Sequence, residues 1–421
     1  MHGSIATILI IAISALSILL MLLRPRSLPE VYWVGGGAVL LVILRLVPLS
    51  LAAKAVAKGS DVYFFLIGMM LLSALARDNG VFDWVATTSI RAASGSASRL
   101  FVLIYGVGTI VTICMSNDAT AVVLTPAVLT AVRKSKVEPL PFLFACAMIA
   151  NAASFVLPIS NPANLVVFHS GMPPLGHWLA SFLVPSLFSI ATTFFVLRWY
   201  FRKELREVVQ PCDEEVTLSG SGKLVLAGLG LVVVVLLFMS AFNKDLGLPT
   251  CIAALGVTLV VCAKNRCNPL PLAGEISWPT LGLVAALFVL VDAVQSIGAL
   301  HVTQTALHAA EAMGVHLGSL VAAFTVAIGN NLLNNLPLGL IAGSTLAASH
   351  THGLLADAVL IGVDIGPNLS VTGSLATILW LLALRKENLH VSATDFLKVG
   401  AIAMPAALLA STVGSFAMHA L

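Results

Sequence analysis

Apolar residues fall in long, closely spaced runs along almost the whole chain, at 4–23, 31–50, 61–76, 100–132, 140–170, 175–199, 223–242, 248–263, 278–293, 315–349, 354–384 and 397–418. A helix needs roughly 20 apolar residues to cross a hydrocarbon core about 30 Å thick, and most of these runs are of that order. The pattern predicts an all-α polytopic membrane protein. The first run has arginines after it rather than before it and no small-residue cleavage site, so it is read as a retained span and not a leader. One sizeable hydrophilic stretch, at 200–222, divides the chain near its middle.

The two halves repeat one order of elements. The run 63–82 leads into a short polar helix at 80–93 with Asp83, Trp84 and Arg91; the run 281–300 leads into one at 297–313 with His301, His308 and Glu311. Each half then has an apolar run interrupted by polar residues, SNDAT at 116–120 and NNLLNNLP at 330–337. A run broken around proline follows, LPISNPANLVV at 157–167 and VDIGPNLSVTG at 363–373, before a closing span. Paired interruptions of this kind point to a secondary transporter built from internal repeats. The domain reading is a first repeat at 1–209, a cytoplasmic linker at 210–222 and a second repeat at 223–421.

Lengths suggest how the repeats are oriented. The arms beside SND, 100–115 and 119–132, would be about 24 and 21 Å long as helices. That is short of the core, so they are read as a re-entrant hairpin. The run 140–170, about 45 Å if straight, is read as one span unwound near 160–162. Each repeat then has five crossings and one hairpin, and an odd number of crossings inverts the second repeat relative to the first.

Charge agrees with that topology. The chain is 59% hydrophobic and 10% charged, against roughly 25% charged in soluble domains. With both termini outside, all of the 22 lysines and arginines except Lys54, Lys58, Lys244 and Arg45 fall on the cytoplasmic side, a strong positive-inside bias. The net charge of +3 therefore carries no sign of nucleic-acid binding. Six cysteines, Cys114, Cys146, Cys212, Cys251, Cys262 and Cys267, show neither CxxC nor zinc spacing. They are read as free thiols, with Cys114 or Cys146 as metalloid ligands the alternative. No metal site or cofactor is expected.

The polar breaks are the candidate chemistry. Irregular backbone at membrane depth is tolerated only where protein or a water-filled cavity covers it. An ionised Asp at mid-bilayer costs at least ~2.5–3.5 kcal/mol. The four breaks are therefore expected to meet at one site near the midplane, with the tips Asn117–Asp118 and Asn334–Asn335 close together and Asn161, Asn164, Asp364 and Asn368 around them. In detail, Asn117–Asp118 is expected to face 161–164, and Asn334–Asn335 to face 364–368. Capping of broken helices is the other role open to these side chains.

Several segments carry a resemblance. SNDATAVVLTP (116–126), NNLPLGL (334–340) and especially IGVDIGPNLSVTGSLATILWL (361–381) resemble the arsenite efflux permeases, within an ion-transporter superfamily that also holds citrate and dicarboxylate carriers and sodium/proton antiporters. The resemblance covers nearly the whole chain. It implies a multi-pass protein of the cell (inner) membrane that exports arsenite and antimonite as neutral trihydroxides, driven by proton entry or coupled to a soluble ATPase partner. The candidate substrate contacts at the breaks are Asn117, Asp118, Thr120, Asn161, Asn164, Asn334, Asn335, Asn368, Ser370 and Thr372, and the candidate proton-coupling residues are Asp118 and Asp364, the only carboxylates there. Some members carry Lys where this chain has Asn368. The residues themselves are compatible: no Lys or Arg lies at the four breaks, and Asn and Thr offer donor and acceptor capacity for a small hydroxylated solute. A sodium/proton antiporter or organic-anion carrier remains the alternative, with a membrane-embedded enzyme using Asp118 and Asp364 the remote one.

Two further motifs fail on inspection. SGSGKL at 219–224 lacks the first glycine of a phosphate loop and has Leu224 where Ser or Thr should follow Lys223, so it is read as a flexible linker and the chain is not expected to hydrolyse ATP. No HExxH occurs.

Overall fold

A computed structural model describes residues 2–210, 217–298 and 300–419. Apart from one isolated bridge between Ser96 and Val208, its regular structure is helical. The first half runs α1 (His2–Leu23), α2 (Glu30–Ile43), α3 (Leu49–Lys58), α4 (Ser60–Asp78), α5 (Val81–Ala92), α6 (Ala97–Cys114), a π-helical turn (Ala119–Leu124) leading into α7 (Thr125–Lys134), α8 (Leu140–Ala152), α9 (Pro162–Val167) and α10 (Leu175–Tyr200). The second half runs α11 (Gly220–Ala241), α12 (Gly247–Asn265), α13 (Leu270–Ala273), α14 (Trp278–Ser296), α15 (Leu300–Ala312), α16 (Val315–Leu333), α17 (Asn335–Ser349), α18 (Leu354–Ile365), α19 (Leu375–Lys386) and α20 (Ala393–His419).

The packing of the two halves is reciprocal, both within each half and between them. α2 packs on α14 while α12 packs on α4; α8 packs on α6 while α18 packs on α16; α10 and α20 lie against each other. The matched helices α4 and α14 run antiparallel. Lys58, just before α4, reaches Asp292 near the end of α14 at 2.6 Å, and Arg77 near the end of α4 reaches Glu275, just before α14, at 3.0 Å.

Nine helices among the described residues are long and apolar enough to cross a membrane. They include α6 and α16, of 18 and 19 residues; α6 is longer than the arm read at 100–115, and length alone makes neither helix re-entrant. The run 31–50 is not one helix. α2 stops at Ile43, Arg45 takes a left-handed φ of 55°, and Pro48 starts the separate amphipathic α3. A 14-residue helix is only about 21 Å long.

The linker reading also changes. Residues 211–216, with Cys212, lie outside the described residues. Residues 207–210 are pinned, with Val209 N–H donating to Gly95 at 3.0 Å and Gln210 N–H to Ser135 at 3.1 Å. SGSGKL is the start of α11 rather than a flexible tether: Ser219 accepts from the Gly222 amide at 2.9 Å, which caps the helix. Of the five described thiols, all free, Cys146, Cys251 and Cys262 are buried, Cys114 is half-buried and Cys267 exposed.

Candidate functional site

Four helices begin at the centre of the fold, and each is capped by the residue before or at its start. Ser116 accepts from the Ala119 amide at 3.2 Å, Asn161 from Ala163 at 3.0 Å, Asn334 from Leu336 at 3.4 Å and Ser374 from Ala376 at 3.1 Å. A helix that starts away from water leaves its first amides unpaired unless a side chain takes them. Asn334 does so at φ 69° and ψ 153°, a conformation that non-glycine residues hold only when their surroundings fix it. The four starts converge. Asn117, Asp118, Asn161, Pro162, Asn335, Leu336, Ser374 and Leu375 enclose a pocket of about 20 Å³, closed from the sides by Leu66 of α4 and Thr280 of α14. Both hairpin tips and both broken helices thus share one junction.

Beneath the junction the two breaks are tied together. Asp364 Oδ1 accepts from Asn161 Nδ2 and from Ser154 Oγ, each at 2.5 Å. Asn151 Nδ2 donates to Asn368 Oδ1 at 2.9 Å, and Asn368 Nδ2 to the Met148 carbonyl at 3.0 Å. Gly366 lets this backbone close on α16, where an added Cβ would lie 2.6 Å from the Cα of Ala327. Asn330 and Asn331 of α16 donate to the carbonyls of Gly362, Val363 and Gly366 around the break. The other oxygen of Asp364 is buried without a hydrogen-bond partner.

A larger cavity of about 210 Å³ adjoins the junction. It is lined by Ser116, Asp118, Pro162, Thr280 and Leu375 at its inner end and by Arg77, Glu275 and Ser277 at its mouth. Arg77 is matched there by Asp78 at 2.9 Å and Glu275 at 3.0 Å, so the mouth carries no unpaired cation from that residue. Asp118 faces both spaces. No hydrogen bond or ion pair reaches its carboxylate from the described residues, and it is the one ionisable group lining the junction pocket.

The expected site residues divide into two sets. Asn117, Asp118, Asn161 and Asn335 line the junction. The others do not. Thr120 is buried inside the first hairpin, 2.8 Å from the Thr112 hydroxyl and 3.4 Å from the Gly108 carbonyl, so it locks the two arms. Asn164 turns its amide back onto the Ser154, Leu157 and Pro158 carbonyls and holds the unwound segment's shape. Asn368 is fully buried in its pair with Asn151. Ser370 and Thr372 bond to Asn331, and Asn334 donates to the Thr372 carbonyl at 3.4 Å, on the side of a separate small pocket. The expected facing of Asn334–Asn335 onto 364–368 is also replaced. Asn335 lines the junction pocket with Ser374 and Asn161, while Asp364 bonds to Asn161 and Ser154. Asn151, Ser154, Asn330, Asn331 and Ser374 are additional. Asn151 precedes its helix-capping Asn161 by the interval that separates Asp364 from Ser374, and that internal match could have found it.

Comparisons with known proteins agree with this architecture. A family model described as Citrate transporter matches residues 18–363. An arsenical pump membrane protein of Escherichia coli is 27% identical over 428 residues, covering 97% of this chain and 98% of that protein. An arsenical pump membrane protein of Yersinia enterocolitica is 28% identical over 352 residues, covering 80% and 81%. Among solved structures, the Alcanivorax borkumensis YdaH transporter, described as having an unusual topology, aligns with a TM-score of 0.56 at 14% identity over 88% of this chain and 87% of that one.

Proposed function

Because the chain belongs to the family whose model is described as Citrate transporter, we propose that it is a secondary active transporter that exports arsenite and antimonite, as neutral trihydroxides, in exchange for protons. The transporter class and the multi-pass membrane placement follow from the family and from the long apolar helices. One observation carries the substrate reading. The junction offers amides, hydroxyls and a single unpartnered carboxylate, with no lysine or arginine in its lining. Such a lining suits a small neutral solute bearing several hydroxyls.

We read the two halves as inverted repeats whose hairpins are re-entrant, and the antiparallel course of α4 and α14 supports this. A pocket of about 20 Å³ admits little more than a water molecule. The solute would therefore wait in the cavity at Asp118 on the side of Arg77, the cytoplasmic side in the positive-inside reading. Passage would require the hairpin tips to part, which is the movement alternating access asks of such repeats.

A second reading has its own observation. Helix starts direct free amides and a positive dipole end toward the junction, which favours an organic anion such as a carboxylate. Everted membrane vesicles with an acidic lumen and no added ATP separate the two. Arsenite uptake that follows the imposed pH gradient supports the proposal. Citrate or sodium-dependent movement without arsenite uptake overturns it, and uptake that needs ATP points to a separate ATPase partner.

A further inference from the structure

A second cavity, of about 220 Å³, lies between α9–α10 and α17–α18. Phe168 and Ser170 border it, and the ring of the intervening His169 stands 5.7 Å from Phe288, one turn before Asp292. The cavity therefore belongs to the Lys58–Asp292 end of the α4–α14 pair, opposite the mouth at Arg77. Gly343 of α17 closes its floor, where an added Cβ would meet the Val167 carbonyl of α9.

Asp357 of α18 lines this cavity. It is buried, and its Oδ2 has no hydrogen-bond partner. The ionisable and polar groups around it are His177 and Ser181 of α10, His419 of α20 with Nε2 3.4 Å from Oδ2, and His352 of the α17–α18 turn across the cavity. Asp364 follows two turns later on the same helix, so the two carboxyls share one face about 10 Å apart along the axis. Fully buried Leu360 and Ile361 stand between them. An acid in a first helical turn favours the helix wherever it points, and exposure would serve that role without the cost of burial. The first half has no equivalent. Counting back from Asn151 as from Asp364, the counterpart of Asp357 is Phe144, packed against Phe201, Trp380 and Phe396.

We propose that Asp357 is the proton-exchange site of the outer face: its carboxylate takes a proton from the outer cavity and passes it inward to the unpartnered oxygen of Asp364. An O–H bond forms on Asp357 as one breaks in a hydronium of the outer cavity. That O–H bond breaks in turn when the second hairpin shifts and admits water between the two carboxyls; the water relays the proton to Asp364 Oδ2, where the new O–H bond forms, and Asp357 is a carboxylate again. This rests on the antiport reading above.

The test uses everted vesicles, in which the outer face is the lumen. Arsenite uptake is measured at fixed bath pH while the lumenal pH is varied, together with arsenite exchange at equal pH, which moves no net proton. Asp357→Asn is expected to lose uptake driven by an acidic lumen while still catalysing exchange, and Asp357→Glu to restore the drive. His419→Gln removes a side chain whose protonated form favours the charged carboxylate, so the lumenal midpoint is expected to move to higher pH. A parental lumenal-pH profile in Asp357→Asn overturns the proposal. If that variant fails to reach the membrane, unchanged midpoints in both Asp357→Glu and His419→Gln overturn it instead. Unmodified protein that moves arsenite with no pH dependence defeats the antiport reading, and this site with it.

Discussion

Asn161 donates its side-chain amide to Asp364 at 2.5 Å, which ties the break in one half's helix to the break in the other. Asn161 also caps α9, its side-chain Oδ1 accepting from the Ala163 amide, so one side chain serves a helix start and a contact between halves. Neither residue can move without its partner or without exposing an unpaired group, and that is what makes the centre of the fold a single unit.

Asp364→Asn is expected to lower stability as well as transport. The wild-type Oδ1 accepts from both Ser154 and Asn161. An asparagine keeps one accepting oxygen but replaces the other with an amide whose hydrogens have no acceptor at the unpartnered position. Leaving a buried donor unsatisfied costs about 1–3 kcal/mol. Thermal unfolding in detergent should show a lowered midpoint, and an unchanged midpoint would remove Asp364 from the structural tie.

Thr120→Val separates packing from substrate contact. The Thr120 hydroxyl meets Thr112 and Gly108 inside the hairpin and not the junction pocket. The expected result is a loss of about 1 kcal/mol of stability with the apparent affinity for arsenite unchanged. A weakened affinity at full stability would return Thr120 to the binding surface.

The order of elements was legible because apolar runs and their interruptions are properties of the chain itself. The 116–120 and 330–337 breaks, and those at 157–167 and 363–373, became the four helix starts of one junction. Which side chains face it was not legible. Asn164 stands in the six-residue α9 and Asn368 in a 3-10 turn, elements too short for a helical period to say which way a side chain points, and both turn toward carbonyls or another amide. Thr120 stands in a π-helical turn, whose extra residue displaces it from the face that an α-helix would give. The shortness of α2 was hidden because Arg45 and Pro48 interrupt a run whose average hydrophobicity stays high.

Topology is checked by accessibility. Single cysteines placed at 207, 208 or 210 are expected to react with impermeant thiol reagents only from the cytoplasmic side, as are cysteines replacing Arg77 or Glu275 at the mouth of the larger cavity. A cysteine at Lys58 is expected to react from the outside. Labelling of positions 58 and 275 from one side would contradict the inverted arrangement, because these positions mark opposite ends of the antiparallel α4 and α14.

Asp118 is the expected carrier of the coupling proton on the inner side. A neutral trihydroxide gains nothing from the membrane potential, so something charged must cross in exchange. A proton is worth about 2.3 kcal/mol per 100 mV, which is roughly a fiftyfold gradient of a neutral solute. The group that releases this proton must reach both the solute and the water-filled side. Asp118 lines the junction and the cavity of about 210 Å³, and no described side chain pairs with its carboxylate. Asp364 is bonded beneath the junction and is a poorer exit for the proton. Asp118→Asn should therefore fold and reach the membrane normally yet lose arsenite export driven by a pH gradient, whereas Asp118→Glu should retain a part of it with an altered dependence on cytoplasmic pH. Initial rates in everted vesicles under an imposed gradient measure both. Export by Asp118→Asn at the parental rate, with the parental pH dependence, would show that the proton leaves by another group.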